Sequence, residues 1–137
     1  MANDQRGLMA RLVAAQNAHD VDAFVECFTP DYRSEQPLHP DRRFTGSDQV
    51  RKNWTAIFAG VPDFSATLVG VASAGDSVWG EVEWRGTKRD GTDALQRGVI
   101  IASLRGGKIA AARLYVEPVQ EGGKGIDAAV RAGVGDR

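Results

Sequence analysis

The sequence predicts an α+β fold: a strongly curved, mostly antiparallel sheet covered on one face by three helices that precede most of it. Two observations carry this. Residues 76–117 read as three strands folding back on one another, with turn signals at Asp76-Ser77, Arg89-Asp90-Gly91-Thr92 and Gly106-Gly107. Residues 4–60 hold three stretches whose apolar side chains recur at helical spacing. Helices first and strands later is an α+β order, whereas strict alternation would point to a parallel sheet.

The meander gives the faces, because strand side chains alternate. In Val78–Thr87, Val78, Gly80, Val82 and Trp84 share one side, and Trp79, Glu81, Glu83 and Arg85 the other. In Ala94–Leu104, Gly98, Ile100, Ala102 and Leu104 oppose Arg97, Val99, Ile101 and Ser103. Both faces there are largely apolar, so this strand is expected to be central and covered on both sides. In Lys108–Glu117, Ala110, Ala112, Leu114 and Val116 are expected inside, and Ile109, Ala111, Arg113, Tyr115 and Glu117 outside.

The first helix spans 4–17, with Leu8, Leu12, Val13 and Gln16 on one stripe and Gly7 weakening its first turn. The chain breaks at 17–20, where His19 is expected to be a solvated corner residue. Asp20 suits the N-cap of a second helix over 21–28, which buries Val21, Phe24, Cys27 and Phe28. Pro30 ends it. Tyr32–Gln36 then reads as a short strand, with Tyr32, Ser34 and Gln36 on one face and Arg33 and Glu35 on the other. Residues 37–43 form an irregular loop. A third helix follows, with Ser47 as its cap and Val50, Trp54, Ile57 and Phe58 as its apolar stripe. Gly60 and Pro62 stop it, and Phe64–Ala72 is a further strand. Residues 1–118 are expected to form one domain, and 119–137 a Gly-rich tail in which Ile126–Arg131 can form a turn or two of helix.

Composition excludes several function classes. A net charge of −1 with no basic stripe leaves neither a nucleic-acid footprint nor a polybasic membrane signal. One cysteine, Cys27, permits no internal disulfide, and its helical apolar neighbours mark it as a small buried hydrophobe. Two histidines, His19 and His39, leave no room for a multi-His metal site, and a His-based triad is nearly excluded too. No phosphate loop or nucleophile elbow is present. With no signal-peptide pattern and no long apolar run, the expectation is a cytoplasmic protein with no cofactor and no metal.

The order of elements resembles the SnoaL-like branch of the nuclear transport factor 2-like superfamily. The resemblance rests on Asn17-Ala18-His19-Asp20, Tyr32-Arg33-Ser34-Glu35-Gln36-Pro37, His39-Pro40, Phe44-Thr45-Gly46, Pro62-Asp63-Phe64, Gly106-Gly107-Lys108-Ile109 and Tyr115-Val116-Glu117, and covers roughly residues 5–118. It implies a conical, cystatin-like α+β barrel, often dimeric, in a family that includes polyketide cyclases, ketosteroid isomerase, limonene epoxide hydrolase and simple binding proteins. Fold alone does not choose among these. The position matching the isomerase's general base is Gln36, which cannot take a proton near neutral pH. Its oxyanion-hole positions fall on Leu12 and Ile100. The epoxide hydrolase's Arg and two Asp fall on Val82, Trp84 and Leu114, and the cyclase acid also falls on Leu114.

The sequence therefore points to a cavity lined by Leu12, Trp54, Phe58, Val82, Trp84, Ile100 and Leu114, with Tyr32, Ser34 and Gln36 as its polar points. His39 and Glu35 are the candidate proton-transfer pair near its mouth. Two readings follow. One is a cofactor-independent isomerase, cyclase or hydratase acting on a small hydrophobic molecule. The other is a non-catalytic binding protein for such a molecule. On the outer face Trp79, Val99, Ile101 and Tyr115 make an apolar patch, which predicts a homodimer through the sheet.

Overall fold

The computed structural model describes residues 2–135. It has an α+β fold, in which helices cover a curved, open sheet. α1 (Ala2–Ala18) is followed by α2 (Val21–Val25), β1 (Phe28–Glu35), a 3₁₀ turn at Pro40–Arg42, β2 (Phe44–Thr45) and α3 (Ser47–Gly60). The meander is β3 (Ser65–Ala74), β4 (Ser77–Arg85), β5 (Gln96–Arg105) and β6 (Lys108–Pro118), and α4 (Ile126–Gly133) is the last element among the described residues. The sheet has six strands in the order β2-β1-β6-β5-β4-β3. Every pairing is antiparallel except β1 with β6, which is parallel.

Several local features depart from the pattern in the sequence, each for a physical reason. The second helix is a short one, capped by the Asp20 carboxylate accepting from Ala23 N at 3.0 Å. Phe28 therefore belongs to β1, and Pro30 sits inside a strand instead of ahead of one. The β1–β6 register shifts between Phe28 and Arg33, so the missing Pro30 N–H breaks no regular ladder. The third helix is capped by Gly46 at φ 103, without a side-chain bond, and Ser47 is already its first helical residue. β2 is only a two-residue strand, too short to leave a periodic signal.

The most consequential departure is a bulge near Ala110. Ser103 pairs with Ala111 but Leu104 pairs with Ile109, so one extra residue sits on β6. That residue reverses the faces at the start of the strand. Ile109, expected outside, is buried with Ala112 and Val116.

α1 lies across β3 and touches β4. Leu8, Met9 and Leu12 join Val78, Val82, Ile100 and Ala102 in the main core. Gly80 lets the helix settle, because a Cβ there would press on the Met9 thioether. A second cluster gathers Val13, Phe58, Phe64 and Ala66. The connector after α1 stitches these layers. Asn17 Nδ2 donates to Ala66 O at 2.9 Å, and Ala66 N donates to Asn17 Oδ1 at 2.7 Å. The side-chain amide thus supplies the sheet's edge strand with a partner. His19 is not a free corner residue: at φ 54, it donates from Nε2 to Phe64 O at 2.9 Å and stacks on Phe58 with ring centroids 4.6 Å apart. Among the described residues no helix is long and apolar enough to cross a membrane.

Gly98 faces Val116 across the β5–β6 pair, and a Cβ there would collide with the Tyr115 carbonyl. Because backbone cannot step aside as a side-chain tip can, Gly98→Ala is expected to cost about 3 kcal/mol. Chemical denaturation checks this; a loss below about 0.5 kcal/mol would show that the pair relaxes freely.

Candidate functional site

A cavity of about 150 Å³ lies between the helices and the inner face of the sheet. α1 contributes Leu12 and Gln16, one turn apart, and α2 contributes Phe24. Phe28, Tyr32 and Ser34 come from β1, and Gln36 and Phe44 from the two ends of the segment that follows it. α3 turns Val50, Asn53, Trp54 and Ile57 toward the space, one helical stripe as its spacing requires. The sheet floor is Trp84, Ile100, Ile109, Ala112 and Leu114. A cavity of this size holds one benzene-sized ring; pockets for drug-sized ligands run from roughly 300 to 1,000 Å³.

The polar groups in this lining are uncharged. Tyr32 and Ser34 are 3% and 4% exposed, respectively, and share the inner face of β1. Burial pushes the Tyr32 phenol up to about 12, and the neighbouring Ser34 hydroxyl, which favours the phenolate, offsets part of that rise. Near neutral pH Tyr32 is therefore a neutral O–H. The Gln36 side-chain oxygen accepts from Arg42 at 3.1 Å, and the Asn53 oxygen accepts from Gln49 at 2.7 Å. One group is left over. Trp84 Nε1–H is buried with no partner among the described residues, and the Gln16 side chain beside the same space is 1% exposed. Among the described residues no carboxylate, imidazole, amine or guanidinium lines the cavity.

His39 lies beside this space. Its backbone N–H donates to Gln36 O at 2.7 Å, while its Nε2 meets Glu117 Oε1 at 2.8 Å. Both side chains are half-buried. The anticipated pairing of His39 with Glu35 does not form: Glu35 is exposed on the far face of β1, in register with Arg113. Among the described residues no three His, Cys, Asp or Glu side chains group as a metal site would need.

A family model described as a SnoaL-like domain matches residues 9–112. The chain belongs to the SnoaL-like family. Solved structures carry the same fold. A protein from Streptomyces galilaeus, AclR, provisionally named a hydroxylase, superposes with a TM-score of 0.77 at 15% identity, covering 96% of this chain and 95% of that one. A protein from Jannaschia sp. CCS1, provisionally named a SnoaL-like polyketide cyclase, gives 0.73 at 20% identity, covering 85% and 87%. A protein of ketosteroid isomerase-like fold from Catenulispora acidiphila, solved with trimethylamine, gives 0.70 at 18% identity, covering 82% and 85%. At these identities the likeness is one of fold. No functionally curated protein matches the sequence.

In this SnoaL-like domain Leu12, Tyr32, Ser34, Gln36, Trp54, Trp84, Ile100 and Leu114 line one cavity. Phe58 and Val82 do not. Phe58 packs in the second cluster against His19 and Phe64, and Val82 is 2% exposed within the main core. The lining residues that the sequence pattern passed over are mainly Gln16, Phe24, Phe28, Phe44, Asn53 and Ile109. Gln16 had a signal, since a glutamine on an apolar helical stripe needs a reason to be there. Ile109 had none, because only the bulge turns it inward.

The Tyr32 phenol carries a pH prediction. Its folded pKa of about 12 lies above the ordinary value of 10, so the folded state holds its proton more tightly than the unfolded state does. Stability is therefore complete below about pH 10 and falls as pH rises toward 12. A two-unit gap corresponds to about 3 kcal/mol. Denaturation midpoints between pH 9 and 12 should fall more steeply for the parent than for Tyr32→Phe. Parallel curves would mean that the phenol is not held neutral.

Proposed function

We propose that this SnoaL-like chain binds one small, uncharged and mainly apolar molecule in its cavity, and that the cavity itself performs no acid–base chemistry. The observation behind this reading is the lining: its one ionisable group, Tyr32, is neutral until about pH 12. A general acid or base works best with a pKa near the operating pH, and nothing in the lining has one. Binding then comes from apolar burial, at ~25 cal/mol per Å² before the costs of association. A second reading, an enzyme, has one observation in its favour. Glu117 holds the His39 imidazole, and the His39 backbone is bonded to that of the lining residue Gln36, so an imidazole stands near the cavity as a candidate base.

The two readings separate by variant. Trp84→Ala should weaken binding of a single-ring compound about tenfold, which corresponds to roughly 60 Å² of lost contact. His39→Ala should leave affinity within about twofold. Calorimetric titration with cyclohexanone measures both. If Trp84→Ala binds as the parent does, the cavity is not the site. Turnover that vanishes in His39→Ala at unchanged affinity would favour the enzyme.

We also infer that the chain pairs with a second copy through the outer face of the sheet. Trp79, Ile101 and Arg113 form one row across β4, β5 and β6, and Glu81, Val99 and Tyr115 form the next. Glu81 and Arg113 are both exposed and occupy opposite corners of the patch. A copy turned over about the other diagonal sets each Glu81 against the second copy's Arg113, with strands crossing near a right angle. Light scattering at micromolar concentration should give a dimer. Glu81→Arg should weaken it, and adding Arg113→Glu should restore it. A monomeric parent, or a dimer indifferent to both changes, would rule this face out.

A further inference from the structure

We infer that the ligand of this cavity is an uncharged single-ring carbonyl compound, recognised through the Trp84 indole N–H and the Gln16 amide. The inference rests on the binding reading above and narrows it. Apolar burial alone would be served by a hydrocarbon lining, yet the cavity keeps an indole N–H with no partner and a buried primary amide. Trp84 Nε1–H is buried and unpaired among the described residues, and Gln16, a primary amide, is 1% exposed. Both residues line the cavity. Buried polar groups are paired in the great majority of proteins, so one left open in a residue of the cavity wall points to a partner that the protein itself does not supply.

The chemistry of these groups selects the partner. An indole N–H only donates, so the ligand must offer an acceptor. The primary amide of Gln16 offers two donors and an acceptor, and Tyr32, protonated at neutral pH, can add an O–H. A lining dominated by donors suits a carbonyl oxygen. Charge is excluded from the ligand, because no opposite charge lines the cavity and an unpaired buried ion is heavily penalised. Size restricts it to one ring, since about 150 Å³ has no room for fused rings.

The test uses two compounds of nearly the same shape, cyclohexanone and methylenecyclohexane, titrated calorimetrically into the full chain. Each affinity is referred to that compound's partitioning from water into cyclohexane, which removes the intrinsic preference for the hydrocarbon. On that scale the ketone should bind at least tenfold better, because one satisfied hydrogen bond is worth about that factor. Trp84→Phe and Gln16→Met keep an apolar body of similar form and remove the polar atoms. Each should reduce the ketone preference about fivefold or more while still binding the hydrocarbon, which shows that the variant is folded. No preference in the parent would overturn the inference while leaving the cavity a binding site. A preference unchanged in both variants would also overturn it, as would tighter binding of benzoate or cyclohexylammonium. If neither ring compound binds, the binding reading itself falls.

Discussion

Parallel pairing of β1 with β6 joins the two halves of the chain, and the cavity depends on it. A four-stranded meander under three helices would leave its last strand as an open edge. β1 covers that edge, and Ile109 N donating to Cys27 O at 2.8 Å carries the contact back to the end of α2. In register, Ser34 lies beside Ala112. That places the hydroxyls of Tyr32 and Ser34 over the cavity floor, next to the small side chain that leaves room for them. The register shift around Pro30 allows a residue with no N–H to sit in a strand, and the bulge near Ala110 brings Ile109 inward to meet it. Two irregularities on adjacent strands thus set the shape of one wall.

The opposite wall is set by Trp54. Its ring meets Phe24 at 4.8 Å, Phe64 at 5.4 Å, Phe58 at 5.6 Å and Trp84 at 5.3 Å, the last two indoles lying at 90° to one another. Tilted and edge-to-face pairs of this kind add about 0.5–1.5 kcal/mol each beyond area burial. Trp54 therefore does two things at once: it forms the cavity side and separates it from the second cluster. Phe58 lies behind it, sandwiched against His19, which is why a residue on the same helical stripe does not reach the cavity.

What the sequence made legible was whatever repeats. The faces of β4, the apolar stripe of α3 and the Gly-rich turns obey fixed periods, and they gave the α+β order and most of the cavity floor. Irregular features were not legible because they break the period. The bulge that inverts Ile109, the strand that accepts Pro30, and the αL backbone that lets His19 reach Phe64 are each the result of tertiary contact overriding a local rule. The same holds for the site. Tyr32, Ser34 and Gln36 could be read as an inward row, but pairing His39 with Glu117 requires knowing that residues 78 apart are neighbours.

Charge and neutral polarity are kept apart in this molecule, and that separation limits what it can do. The ion pairs Arg85–Glu83–Arg97 lie on the outer face of the sheet, where the two guanidinium groups hold the Glu83 carboxyl below its usual range. Glu117 stands in the same row, in register with Arg97, and points away from the core that Val116 enters. His39 is therefore held from the outer side of β6 and does not line the cavity. Within the cavity, Ile100 and Leu114 occupy the positions that the resemblance matched to acids. An acid there would have its pKa raised by burial and could act near neutral pH; isoleucine and leucine cannot. The chain keeps a cavity between its helices and its sheet but lines it with apolar side chains and neutral polar groups.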